Sequence, residues 1–112
     1  MNWNTLDSVE QLDTLIEESQ TQAVAIFKHS TTCSISAMAK NRLERQWKFS
    51  EAEAKIYYLD LLSYRAISNE IASRFGVTHQ SPQLILLKGG EPVYDASHNM
   101  ISARDLPLES AV

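Results

Sequence analysis

Cysteine is nearly absent: Cys33 stands alone in 112 residues. No internal disulfide can form, which fits a reducing compartment better than a cross-linked secreted scaffold. Basic residues are also short, with 10 Lys plus Arg against 14 Asp plus Glu and a formal charge of −4. The positive footprint of a nucleic-acid binder is therefore missing. No apolar run approaches the ~20 residues of a membrane span. The opening residues Met1-Asn2-Trp3-Asn4-Thr5 lack the basic and apolar regions of a signal peptide. A cytoplasmic protein with neither nucleic acid nor membrane as partner is the expectation. Three histidines scattered without helical spacing, beside one cysteine, predict no metal site.

What is present reads as alternating strands and helices. Residues 2–5 form a short edge strand. Ser8 followed by Gln11 has the spacing of a capping box, and Val9, Leu12, Leu15 and Ile16 then give one apolar helical face. Residues 23–27 (Ala-Val-Ala-Ile-Phe) are a buried strand, and the polar run Lys28-His29-Ser30-Thr31-Thr32 is the turn after it. Cys33 opens a helix reaching Trp47, with Ile35, Met38, Ala39, Leu43 and Trp47 as its expected inner face. A charged linker over 48–54 leads to a strand at 55–60. A helix over 64–75 carries Ile67, Ile71 and Phe75 one turn apart and stops at Gly76. Residues 83–88 are a strand, Gly89-Gly90 a tight turn, and 91–96 the hairpin partner, confined to an edge by Pro92. The aromatics Trp3, Tyr57, Tyr58, Tyr64 and Tyr94 read as core and rim. This order implies right-handed crossovers and a largely parallel sheet closed by an antiparallel hairpin, and it suits several small α/β folds.

The chemistry centres on Cys33. A thiol at a strand-to-helix turn meets free backbone N–H groups and the positive end of a helix dipole, and both favour the reactive thiolate. Ser36 stands three residues on, where a dithiol protein carries its resolving cysteine. A hydroxyl cannot attack a disulfide, so a mixed disulfide on Cys33 must be resolved by a second molecule. Thr32, Ser36 and His79 are the candidates to stabilise the thiolate, with His29 a further neighbour. Each also suits a plain hydrogen-bonded position. Lys28 and Lys40 lie near the cysteine in sequence and read as solvated charges.

Three separated stretches carry a family resemblance: Lys28-His29-Ser30-Thr31-Thr32-Cys33-Ser34-Ile35-Ser36, His79-Gln80-Ser81-Pro82-Gln83, and Ser97-His98. Together they resemble the monothiol bacilliredoxins across essentially the whole chain. The resemblance implies a thioredoxin-like fold over residues 1–112 as a single domain: a central mixed sheet with a C-terminal β-hairpin, flanked by helices. It further implies a cytoplasmic, stress-response thiol–disulfide oxidoreductase that removes bacillithiol from protein mixed disulfides through Cys33. Bacillithiol is then a co-substrate rather than a bound cofactor. Bacillithiolated proteins, the low-molecular-weight thiol and a partner reductase are the implied partners. Ser81 and Pro82 match a cis-proline loop that binds extended substrate, and Phe27 sits where related thioredoxins keep a buried acid. Two departures stand out. Ser34 replaces the usual proline after the cysteine, and Pro107 falls where a last helix would run, so the tail after Ala103 is expected to be short or irregular. The alternatives are a glutathione-using monothiol glutaredoxin and a thioredoxin-fold binding or iron–sulfur carrier module.

Overall fold

The computed structural model of the chain describes residues 1–108. The elements run β1 (Trp3–Thr5), α1 (Gln11–Glu18), β2 (Ala23–His29), α2 (Ser34–Gln46), β3 (Ala54–Asp60), α3 (Arg65–Phe75), β4 (Gln83–Lys88) and β5 (Glu91–Ser97). Two short 3₁₀ turns follow, His98–Met100 and Ala103–Asp105. The sheet order is β1-β3-β2-β4-β5, with β1, β3 and β2 parallel and β4 antiparallel to both β2 and β5. This is the α/β thioredoxin-like arrangement, with a mixed sheet closed by an antiparallel hairpin. No helix among the described residues is long and apolar enough to cross a membrane.

Two layers of core cover the sheet, and strand alternation sorts side chains between them. Ala23, Ala25 and Phe27 of β2 face Ala39 and Leu43 of α2, together with Ile101, Ala103 and Leu106 from the C-terminal segment. Val24 and Ile26 face Leu12 and Leu15 of α1 and Ile67 and Ile71 of α3. Central β2 is buried along its whole length.

Several expected boundaries move. β2 does not end at Phe27; Lys28 and His29 stay in the ladder, paired with Leu59 and Asp60 of β3, and both are buried. These polar residues do not force a turn because β3 pairs with both of them and β4 pairs with Lys28. On α2 the inner face is Ser36, Ala39 and Leu43, while Ile35 and Met38 are 45% and 62% exposed. The Ser8–Gln11 box forms only in its reach-back half: Gln11 Oε1 accepts the Asp7 and Ser8 amides at 2.7 and 2.9 Å, and α1 starts at Gln11 itself. A reciprocal pair of this kind occurs instead in the linker, where the Ser50 amide donates to Glu53 Oε1 at 2.9 Å and the Glu53 amide to Ser50 Oγ at 3.3 Å. After Ala103 the chain makes one 3₁₀ turn and then meets Pro107; the tail beyond 108 lies outside the described residues.

The hairpin turn has the two-glycine form its geometry demands, with φ of +62° at Gly89 and +81° at Gly90. Pro92 sits on the edge strand beside a bulge, where its missing N–H costs no ladder bond. Ser19, at the end of α1, receives the turn: its carbonyl accepts the Gly89 N–H at 2.7 Å and its Oγ the Gly90 N–H at 2.8 Å. Ser19→Ala should cost about 1 kcal/mol, the net contribution of one part-buried hydrogen bond. Urea unfolding measures this; a variant as stable as the parent would show that the tip does not depend on the hydroxyl.

Candidate functional site

The parallel strands β2 and β3 end side by side, and α2 starts from the same end of the sheet. Thr31 and Thr32 make the turn between β2 and α2, and Cys33 is the N-cap residue of α2 with φ −107° and ψ 122°. Its carbonyl accepts the Ala37 N–H at 3.1 Å and its own N–H donates to the Ser30 carbonyl at 3.2 Å. The backbone around the cysteine is thus fixed while the thiol remains free and partly exposed. The first-turn amides of α2 have no partner within the helix, which places unsatisfied donors beside the sulfur.

Ser36 holds this turn against the sheet. Its Oγ is fully buried, accepts the Ser30 N–H at 3.0 Å and lies 2.6 Å from His29 Nδ1. His29 stacks on Phe27 with ring centroids 5.8 Å apart and lies 5.5 Å from Tyr58. Burial pushes its pKa below the ordinary histidine value; the Lys40 charge adds to this and Asp60 opposes it. Asp60 pairs with His29 across the β2–β3 ladder. One of its carboxylate oxygens accepts from Ser63 Oγ at 3.0 Å, and the other is buried with no partner among the described residues.

The second half of the site is the loop before β4. The Ser81–Pro82 bond is cis. Gln83, itself buried, braces the loop by donating to the Thr78 carbonyl at 3.0 Å and accepting the Gln80 N–H at 3.4 Å. The Pro82 carbonyl accepts the His98 N–H at 3.1 Å, and Arg42 of α2 donates to the His98 and Ile101 carbonyls. His98 adopts φ +54°, an uncommon conformation for a non-glycine residue, where these bonds hold it. The third stretch that carries the resemblance, Ser97-His98, is therefore part of the frame around the proline.

The expected site residues do not all converge on the sulfur. Thr32 is exposed in the turn, with Oγ1 3.4 Å from Ser30 Oγ. Ser36 spends its hydroxyl on His29 and Ser30, so its backbone N–H is what faces the helix start. His79 points the other way: its Nδ1 lies 3.3 Å from Lys28 Nζ and 3.2 Å from Ser68 Oγ, on the α3 face of the sheet. Lys28, expected as a solvated charge, is fully buried, and its ammonium donates to the Ser68 carbonyl at 3.2 Å. Alternation carries it there, since it follows Val24 and Ile26 on the same face. Burial lowers its pKa from 10.5 to about 8. Lys40 is half-buried, paired with Glu44 at 3.1 Å and lying over the Trp3 and Tyr58 rings.

A family model described as monothiol bacilliredoxin BrxC matches residues 4–106. A solved structure described as a proposed oxidoreductase with a thioredoxin fold is 34% identical, with a TM-score of 0.80 over 93% of this chain and 89% of its own. A redox protein from Chlamydomonas reinhardtii is 22% identical, with a TM-score of 0.71 over 87% of this chain and 31% of its own. A thioredoxin from Fasciola hepatica is 19% identical, with a TM-score of 0.66 over 85% of this chain and 86% of its own. The last two are similar in fold alone.

Two expected outcomes follow from the buried polar groups. Ser36→Ala should lower stability by about 1–3 kcal/mol, because it strands the Ser30 N–H and one nitrogen of His29; urea unfolding checks this, and an unchanged midpoint would remove Ser36 as the clamp. For Lys28, a folded pKa below the unfolded one means the unfolded chain binds the proton more readily. Stability should therefore rise as pH goes from about 8 toward 10.5. Lys28→Met has nothing to protonate at this position, so it should lack that rise, leaving only the opposing fall from the raised Tyr57, Tyr58 and Tyr94, and should be more stable near neutrality. A parallel rise in the variant would assign the effect to another group.

Proposed function

The chain belongs to the monothiol bacilliredoxin family, and on that premise we propose that Cys33 is the nucleophile by which it removes bacillithiol from protein mixed disulfides. At the coarser level it is a thioredoxin-fold member of an oxidoreductase family. The single observation that carries the finer reading is the placement of its only thiol, partly exposed at the N-cap of α2, with first-turn amides free to stabilise a thiolate.

The proposed step is an exchange. The Cys33 thiolate attacks the bacillithiol-side sulfur of the mixed disulfide, the sulfur–sulfur bond breaks, and the protein thiolate leaves. A Cys33–bacillithiol disulfide remains. No second cysteine exists to expel the adduct, so the thiolate of a further thiol or a partner reductase must attack the bacillithiol-side sulfur, forming a disulfide with bacillithiol as the Cys33 thiolate leaves. Backbone N–H groups at Ser36 and its neighbours are the donors proposed for the thiolate, with the Thr32 hydroxyl at the turn beside them. Ser81 and cis-Pro82 are the proposed backbone dock for the extended substrate segment around its disulfide. His79 acts at a distance from the sulfur in this scheme, through the groups described below.

Intact mass after incubation with oxidised bacillithiol or oxidised glutathione tests the reading. The wild type should gain one bacillithiol and prefer it over glutathione, and Cys33→Ser should gain none while keeping its circular dichroism. Activity of Cys33→Ser near the parent's value would move the chemistry elsewhere. A strong preference for glutathione would favour the glutaredoxin reading, and a coloured protein purified under nitrogen the iron–sulfur carrier.

A further inference from the structure

Lys28 is a buried cation without a counter-anion. Its ammonium has two acceptors, the Ser68 carbonyl and His79 Nδ1, and both are neutral. No carboxylate pairs with it among the described residues, and burial alone accounts for its shifted pKa. A leucine or methionine in its place would continue the apolar face of Val24 and Ile26 at no such cost. The ammonium also dictates the state of His79. An N–H from Lys28 makes Nδ1 an acceptor, so the imidazole carries its proton on Nε2 and offers it outward. Burial, Lys28 and Arg65 together hold the His79 pKa below the ordinary value, which keeps the ring neutral.

Outward of Lys28 lies a small pocket of about 70 Å³ lined by Leu61, Arg65, Ser68, Asn69 and His79. Its polar lining is made of donors or donor-capable groups, with no acid among them. Arg65 opens α3 and has no ion pair among the described residues, whereas Arg74 on the same helix is held by Asp13 and Glu70. An Arg fork, an Asn amide and an imidazole N–H over a buried ammonium are the complement of a carboxylate, and the volume suits a group of that size rather than a whole ligand. The location suits a substrate of the thiol. The N–H of Leu61, in the pocket wall, donates to the His29 carbonyl at 3.1 Å, so the pocket lies at the end of the sheet from which the Cys33 turn and α2 start, and His79 is three residues before Pro82.

We propose that this pocket receives the acid group of an anionic low-molecular-weight thiol whose sulfur is engaged at Cys33, with Arg65, Asn69 and His79 as its contacts and Lys28 as the positioning residue that sets His79 as a donor. The inference rests on the exchange reading above and names where its co-substrate is recognised. The bond changes remain those of the exchange step; the pocket adds only binding.

The test compares oxidised bacillithiol with its methyl ester, which caps the acid, and uses neutral 2-hydroxyethyl disulfide to normalise the intrinsic reactivity of Cys33 in each variant. Initial rates of adduct formation are read by mass. In the wild type the acid form should react about tenfold faster than the ester at low salt, the effect of one good charge-assisted contact. Added salt should narrow that ratio. Arg65→Gln, an exposed substitution, should bring the ratio close to one, and Arg65→Lys should leave it intermediate. A ratio in Arg65→Gln within about a factor of two of the wild-type ratio, or a wild-type ratio near one, overturns the pocket while leaving Cys33 exchange standing. Failure of Cys33 to react with any of the three disulfides overturns the exchange reading itself.

Discussion

Burial of β2 on both faces governs the rest of the structure. The strand lies between β3 and β4 and beneath helices on either side, so each residue that stays in its ladder must be accommodated inside one of two cores. The ladder continues through Lys28 and His29, and alternation then sends one basic group to each face. Neither can reach water freely, so each requires polar company. His29 finds Ser36 across from the start of α2. Lys28 finds the Ser68 carbonyl and His79 on the α3 side. The two networks brace the cysteine turn and the loop leading to Pro82, the two halves of the candidate site.

The networks differ in energetic character. Around His29 the donors and acceptors are neutral and matched, and the ring is packed between Phe27 and Tyr58. Such a cluster stabilises and specifies a single arrangement of the turn. Around Lys28 the charge is unmatched, which costs stability. Positions that break the local rule in this way tend to serve binding or chemistry rather than the fold. The contrast between a satisfied face and an unsatisfied one is what separates a structural brace from a candidate recognition element.

Much of this was legible in the chain. The helix that begins after Cys33, the helix stopped by Gly76 and the Gly89-Gly90 hairpin rest on local signals, and each appears where those signals put it, whereas the cis bond at Ser81–Pro82 follows from the family resemblance. The failures share one cause. Whether Lys28-His29 forms a turn or extends a strand depends on neighbours supplied by residues far along the chain, which no local pattern reveals. The phase of α2 misled for a related reason: small residues, Ser36 and Ala39, face inward because the sheet beneath already carries Phe27 and His29, and Ile35 and Met38 are turned outward. Apolar periodicity finds the buried face only when bulk lies on the helix rather than on its partner. The role of Ser36 was half visible, as a residue at a helix start, but its partner was not.

Ser36 also bears on why the chemistry uses one thiol. The position three residues after Cys33 is occupied by a hydroxyl that accepts one hydrogen bond and shares another across 2.6 Å. A thiol has a longer bond to carbon and a much weaker acceptor, so it would neither fit that separation nor satisfy the Ser30 amide. The position is therefore filled by a structural requirement, not left vacant by the loss of a cysteine. Likewise Phe27 puts an aromatic ring beneath His29, where a carboxylate would have to be desolvated in the same core. The monothiol pattern and the His29 brace are coupled: a chain that keeps the brace has no room for a second thiol at position 36.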